Sequence, residues 1–319
     1  MESASVGIDL GGTSIKFGIV TPEGEVIARS EIPTPTSLPR EAVRAISLAV
    51  QKLIDSSGLK PGRIGKVGVG TPGVLDPQRG VVRSAANLEG WTDVPLRDWL
   101  SEDLGRPVRV MNDANAAALG EICFGAARGV GNLVLLTLGT GVGGGIVLGG
   151  KVIEGSRGLA GELGHMRIEM GQPRPCACGL FGCLEAYAGG RSLLKRVHET
   201  LADDIQEVSL LQEKSKVGPL KVEDLFWAAG EGDGLMIRLV EESALALSGA
   251  IANLLHALNP EMVVLAGGIS RSPLLLEKIR EYLPEMALKA YLEKFELCTS
   301  GLGADAGILG AAAAVTNPA

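Results

Sequence analysis

Aromatic residues are scarce in this chain, at 3% of 319 residues. Basic runs interleaved with aromatics are missing, and Asp and Glu outnumber Lys and Arg by 37 to 30, a net charge of −7. A chain with this balance lacks the electrostatic footprint of a nucleic-acid binder. No uninterrupted apolar run reaches the ~18 residues of a membrane-spanning helix. A basic-then-apolar secretory leader is also missing, because a strand pattern begins by Val6. These absences lead to the expectation of a cytoplasmic protein with no membrane or nucleic-acid partner. Neither GxxxxGK(S/T) nor a strand-linked GxGxxG opening a helix occurs, so two common phosphate-binding fingerprints are excluded. Cysteine is sparse too, five in all, yet three of the five lie within eight residues. In a reducing compartment such clustering favours a metal over a disulfide.

What is present is 46% hydrophobic residues and 45 glycines. That mix can fill a large core and belongs to a globular α/β chain with tight turns and small-residue packing. The length allows two domains. Residues 6–20 (VGIDLGGTSIKFGIV) read as two strands around a Gly-Gly-Thr turn. A third strand follows over residues 26–29, and residues 41–55 carry apolar side chains at helical spacing. Strands are expected over 64–69 and 108–111, an extended stretch over 81–88 reaching Asn87, and helices over 96–104 and after Asp113. Then the opening pattern returns: residues 133–147 read LVLLTLGTGVGGGIV. Asp9-Leu10-Gly11-Gly12 aligns with Thr137-Leu138-Gly139-Thr140, which is either a duplicated domain or a chance likeness of glycine-rich hairpins. A strand over 262–266 runs into Gly267-Gly268, a helix follows Pro273, and a small, apolar helix lies near 305–315. Strands alternating with helices predict mixed or parallel sheets with helical layers.

Three glycine-rich turns each follow a strand: Gly11-Gly12-Thr13, Gly139-Thr140-Gly141 and Gly267-Gly268. Without a Cβ, backbone amides there can approach a phosphate closely, so the three together point to a nucleotide cleft. Asp9, just before the first turn, could hold Mg2+ through water. Lys16 could face a phosphate or equally be solvated. Asn112-Asp113 sits where a buried strand meets a helix N-terminus. Asp113 is then either a helix cap or a general base that takes the proton of a hydroxyl attacking a γ-phosphate.

Residues 162–185 (ELGHMRIEMGQPRPCACGLFGCLE) are the most specific signal in the chain. His165, Cys176, Cys178 and Cys183 can fill a tetrahedral zinc shell, with Gly179 and Gly182 as turn formers. Four protein ligands leave no open position, so the zinc expected here is structural. If His165 binds through one ring nitrogen, the other N–H can donate to a ligand. Glu162 and Glu185, at the two ends, would be pinned close to the metal. Core packing of the cysteines and a Cys178–Cys183 cross-link are the alternatives. Cys123 and Cys298 read as ordinary buried thiols, and His198 and His256 as structural residues without partners.

These residues, in this order, resemble the ROK family of sugar kinases and related repressors. The match runs through DLGGTSIK (9–16), TPG (71–73), NDANAA (112–117) and LGTGVGGG (138–145). It continues through EGxxGxAGELGH (154–165), CxCGxxGCxE (176–185) and AGG (266–268). The resemblance implies the actin-like ATPase fold, ribonuclease H-like and shared with hexokinases: two α/β domains around a nucleotide cleft. A small domain is expected over residues 1–111, with a C-terminal helix (303–319) packing back on it, and a large one with the zinc loop over 112–302. By this resemblance Asp113 is the catalytic base, and Asn87, Asn112, Asp113, Glu162, His165 and Glu185 bind sugar. His165, Cys176, Cys178 and Cys183 are the zinc ligands. Asp9, Gly11, Gly12, Thr13, Lys16, Thr140, Gly141, Gly267 and Gly268 face ATP.

Within the family, residues 84–100 (SAANLEGWTDVPLRDWL) are most similar to the glucokinases. The activity so implied is phosphorylation of glucose at its 6-hydroxyl by Mg-ATP, in a homodimer. Kinases for N-acetylmannosamine, N-acetylglucosamine, fructose or allose share the same motifs, as do polyphosphate-using relatives. The family's repressors add an N-terminal helix-turn-helix domain. With only five residues before the first strand and a negative charge, an enzyme is expected.

Overall fold

The computed structural model describes residues 4–36, 38–85, 87–202 and 208–316. Residues 203–207, and 317–319 of the expected C-terminal helix, lie outside that set. The chain divides into two compact units: Met1–Leu135, Gly145–Gly161 and Ser300–Ala319 in one, Leu136–Gly144 and Glu162–Thr299 in the other.

The first unit contains β1 (Ala4–Leu10), β2 (Ser14–Val20), β3 (Val26–Pro33), α1 (Pro39–Ser56), β4 (Ile64–Thr71) and β5 (Val74–Asp76). It continues with β6 (Val81–Ser84), β7 (Thr92–Val94), α2 (Leu96–Leu104), β8 (Val108–Asn112) and α3 (Asp113–Phe124). The main sheet runs β3-β2-β1-β4-β8. β1, β2 and β3 are antiparallel, and β1, β4 and β8 are parallel. Strand alternation turns Val6, Ile8, Leu10, Ile15, Phe17 and Ile19 into a core shared with Val43, Ile46 and Val50 of α1. Gly7 and Gly68 lie against the C-terminal helix, α11 as numbered below (Ala306–Thr316). A Cβ on Gly68 would stand 1.7 Å from the Ala311 carbonyl oxygen, and one on Gly7 2.0 Å from that of Ile308. The helix AGILGAAAAVT is small enough to lie directly on the strands, and only glycine on the strands permits it.

The same packing decides where α3 belongs. A Cβ on Gly310 of α11 would stand 1.8 Å from the Ala116 carbonyl oxygen of α3. The two helices are thus close-packed, and α3 falls in the first unit, whereas a boundary at residues 111/112 would assign it to the other. The 81–88 stretch is a strand only to Ser84, and Asn87 lies in a turn. A small antiparallel sheet, β5-β6-β7, is tied by Arg83, which bridges Asp76 and Asp93 at 2.8 Å each.

The second sheet comprises β9 (Leu133–Leu138), β10 (Val142–Leu148), β11 (Lys151–Val152), β12 (Met262–Ala266) and β13 (Glu296–Thr299). Its order, β11-β10-β9-β12-β13, repeats the first sheet position by position. The duplication read from two hairpins therefore extends to whole sheets. The division between the units passes within β9 and β10. Helices α4 (Glu185–Ala188), α5 (Gly190–Ala202), α6 (Leu211–Val217) and α7 (Val222–Gly230) precede the long α8 (Gly234–Leu258). α9 (Pro273–Met286), α10 (Lys289–Leu292) and α11 complete the chain.

α8 went unmarked in the sequence because apolar residues occupy most of its circumference, which blurs the 3.6-residue period. Its N-cap is Asp233, whose Oδ1 accepts from the N–H groups of Leu235 (3.1 Å) and Met236 (3.2 Å). His256 is not partnerless: its Nε2 accepts from the Leu288 N–H at 3.2 Å and its ring meets Tyr291 edge-on. Cys123 and Cys298 are half-buried rather than buried. Among the described residues no helix is long and apolar enough to cross a membrane.

Candidate active site

In the first unit the β1–β2 turn is held by its own neighbourhood. The Gly11 N–H donates to the Ser14 carbonyl (3.1 Å), Thr34 Oγ1 donates to the Gly11 carbonyl (2.7 Å), and the Thr34 N–H to that of Thr13 (2.9 Å). Gly12 and Thr13 are exposed. Asn87 lies against the turn, with a Cβ on Gly12 only 3.0 Å from the Asn87 Cβ. Asp9 is the cross-strand partner of Lys16 and packs against α11, where a Cβ on Gly307 would stand 2.5 Å from its Cγ. Burial pushes the Asp9 carboxyl above its ordinary 3.8, and the Lys16 charge partly opposes this.

At the β8–α3 junction the cap is Asn112, not Asp113. The Asn112 backbone is extended (φ −63, ψ 145), and its Oδ1 accepts from the N–H groups of Ala114 (3.0 Å) and Asn115 (3.2 Å). Capping geometry demands a residue outside the helix, and the last residue of β8 satisfies it. Asp113 is therefore the first helical residue, half-buried, with Oδ1 accepting from the Ala114 N–H at 2.8 Å. Its carboxylate lies at the positive end of the helix dipole. Thr71, fully buried, pairs with Asn112 in register.

In the second unit the β9–β10 turn is held from a distance. Thr137 Oγ1 accepts from the Gly143 N–H at 3.1 Å. The carbonyls of Gly139 and Thr140 accept from the N–H groups of Gly190 and Arg191, at 2.9 Å each. Glu185 Oε2 accepts from the Val142 N–H at 3.0 Å, and Oε1 lies 3.7 Å from Cys176 Sγ. A Cβ on Gly141 would stand 2.3 Å from that Oε2. Gly267 has φ +90 and would bring a Cβ to 2.3 Å from the Leu138 carbonyl oxygen, so no other residue fits there. Gly268 faces open space, and Glu162 is exposed. Thr137 and Thr34 carried no motif signal, although Thr137 occupies the position of Asp9 in the internal repeat.

The four expected metal ligands come together. One ligand atom each from His165, Cys176, Cys178 and Cys183 lies within 4.8 Å of every other. The Sγ atoms of Cys178 and Cys183 are 3.8 Å apart, and Cys176 Sγ is 3.8 Å from His165 Nδ1. A tetrahedral zinc with bonds of about 2.3 Å has ligand–ligand edges of about 3.8 Å, so the cage fits the ion. The cross-link alternative is overturned: all three thiols are free, and a disulfide requires about 2.05 Å. Burial pushes the Cys176 thiol up to about 12 and raises that of Cys183, while the Leu180 N–H holds that of Cys178 below its ordinary 9.0. A metal entering the cage would have to displace those protons.

The loop forms because Gly179 (φ +87) and Gly182 (φ +77) reverse it, with the Cys176 N–H donating to the Leu180 carbonyl at 2.8 Å. Tyr187 Oη accepts from the Arg174 N–H at 3.0 Å, and the Arg174 guanidinium lies over the Tyr187 ring and pairs with Glu242 of α8. A cavity of about 450 Å³ borders the loop at His165, Arg167 and Phe181. The larger cavity, about 620 Å³ and lined by Arg196, Leu239 and Tyr282 of α5, α8 and α9, contains none of the candidate residues.

The model of the ROK family matches residues 5–317, and the chain belongs to that family. Its fold is the actin-like ATPase fold. It is 38% identical over 307 residues to a glucokinase of Halalkalibacterium halodurans, covering 96% of this chain and 92% of that one. A solved ROK hexokinase from Thermus thermophilus is 39% identical, with a TM-score of 0.79 and 97% of each chain covered. A ROK family glucokinase from Streptomyces griseus, solved in complex with glucose and AMPPNP, is 33% identical. Its TM-score is 0.80, with 97% of this chain and 98% of that one covered.

Proposed function

We propose that this protein phosphorylates glucose at the 6-hydroxyl with ATP as donor. It is a sugar kinase, and the observation that carries the mechanism is the division of labour at the β8–α3 junction. Asn112 supplies the N-cap, and beside it, at the first helical position with Oδ1 on the Ala114 N–H, stands the Asp113 carboxylate. It would accept the proton of the 6-hydroxyl as that oxygen attacks the γ-phosphate. Asn87, Asn112, Glu162, His165 and Glu185 supply the donors and acceptors that neutral sugar hydroxyls require. The amides of the turns at Gly11-Gly12-Thr13, Thr140-Gly141 and Gly267-Gly268 face the phosphates, and Lys16 adds a positive charge.

Mg2+, with Asp9 behind it through water, would supply charge neutralisation at the phosphates. Zn2+ on His165, Cys176, Cys178 and Cys183 would supply a closed anchor with no catalytic position, since all four sites are filled by protein. With Nδ1 turned to the thiols, His165 keeps Nε2 for a sugar hydroxyl. A coupled ADP-release assay over glucose, fructose, allose, N-acetylglucosamine and N-acetylmannosamine tests the substrate. Glucose should lead in kcat/KM by at least ~10-fold, the low end of what a small change in a substrate's fit to its pocket gives. An N-acylhexosamine turned over as well as glucose rejects the assignment. Replacing ATP with polyphosphate in the same assay tests the donor.

A further inference from the structure

The segment that follows the third clustered cysteine grips the β9–β10 turn on both strands. Two residues after Cys183, Glu185 accepts from the Val142 N–H (3.0 Å) on the β10 side. On the β9 side, Gly190 and Arg191 donate to the carbonyls of Gly139 and Thr140 (2.9 Å each). The four-residue α4 between these grips leaves little slack. At its start the Leu184 N–H is bound to the Met166 carbonyl (2.9 Å), one residue beyond His165. The Glu185 carboxylate has the nucleotide turn against one oxygen and Cys176 Sγ against the other, at 3.7 Å. On the turn side Gly141 presses on it so closely that a Cβ would come to 2.3 Å from Oε2.

We infer that Glu185 is a positioning residue that couples the metal cage to the nucleotide turn. Fixing Cys183, two residues before Glu185, fixes where the carboxylate sits. The carboxylate fixes the Val142 N–H, and with it the amides of Thr140 and Gly141. The cage thereby sets nucleotide affinity as well as the sugar side. Linkage makes the effect reciprocal, so nucleotide held at the turn tightens the cage by the same factor. This inference rests on the assignment of the β9–β10 turn to ATP in the proposed function.

The test is titration calorimetry of AMPPNP with Mg2+, without sugar, on metal-loaded and chelator-stripped protein. Stripping should weaken AMPPNP on the order of 5- to 50-fold in the wild type, within the ordinary range of allosteric coupling. It should weaken it much less in Glu185→Ala, and Glu185→Gln, which keeps an acceptor for the Val142 N–H, should restore most of the difference. Gly141→Ala, a change in the nucleotide turn, should weaken metal binding, read at equilibrium by competition with a chromogenic chelator, by at least about 5-fold. If stripped protein unfolds by circular dichroism, the reciprocal measurement on loaded protein decides: saturating AMPPNP must tighten metal binding in the same competition. Equal AMPPNP affinity in folded stripped and loaded wild type overturns the inference, as does metal affinity indifferent to AMPPNP or to Gly141→Ala. Those outcomes leave sugar phosphorylation untouched. Coupling without turnover of any hexose would keep the inference and reject the proposed function.

Discussion

The two hairpins related by the internal repeat have the same strand order and are held in different ways. The β1–β2 turn is pinned from within the same three-stranded segment, by Ser14 and by Thr34 just beyond β3, and follows the partly buried carboxylate of Asp9. The β9–β10 turn has the Thr137 hydroxyl where Asp9 would be, and is pinned by Glu185, Gly190 and Arg191. Backbone pairing reproduces itself in a duplicated sheet because any alternating apolar sequence can make it. The side chains at the turns are free to diverge. One copy carries the partly buried carboxylate of Asp9, and the other a turn held by the segment that follows the clustered cysteines. The first half should therefore be sensitive to charge, and the second to the metal.

The largest effect expected lies in the first half. Asp113→Asn should lower kcat by ~10²-fold or more, the usual worth of a positioned base, with metal content and melting temperature unchanged. Near-normal turnover would remove the chemistry from this half of the comparison. Stripping the metal, or Cys176→Ser, should act on the other half, raising the sugar KM by about 10- to 100-fold, as loss of supporting contacts at metal sites does. Elemental analysis beside steady-state kinetics checks this, and full affinity in metal-free protein would erase the contrast.

Smaller effects sharpen it. Asn112→Ala should cost about 1 kcal/mol as a lost cap, seen as a melting point lower by roughly 2–4 °C. Asp113→Asn, which keeps an acceptor for the Ala114 N–H, should not share that loss. The smallest effect concerns Asp9. Its folded-state pKa is raised above 3.8 by burial, so its contribution to stability is present at acid pH and lost as pH rises through the folded value. Asp9→Asn should therefore melt about 1–3 °C higher at pH 7 without Mg-nucleotide, match the wild type near pH 4, and turn over more slowly. A lower melting point at pH 7 would contradict a buried charge that folding disfavours.

Much of this was legible in the chain. Glycine turns, strand alternation and helical spacing act over a few residues, so the β1–β2 and β9–β10 hairpins, α1 and α2 could be read directly. The cluster of three thiols and an imidazole was legible because they lie close along the chain. α8 was not, since a helix buried on most sides loses its period. Nor was the choice between Asn112 and Asp113, because capping depends on where β8 stops rather than on residue type. The partner of His256 comes from α10's threshold at Leu288, 32 residues away, beyond any local pattern.

The sequence by itself determined the family, the doubled β-hairpin and the grouping of His165 with Cys176, Cys178 and Cys183, because residue type and short spacing decide each of these. The tertiary structure alone decided which of two adjacent residues caps α3. It also decided that α11 lies on glycines of β1 and β4, far earlier in the chain, and that one oxygen of Glu185 holds the turn at Val142 while the other meets Cys176. A hydrogen bond between residues 43 apart has no signature along the chain. It exists only once the backbone has folded and brought a donor and an acceptor to within 3.0 Å of each other.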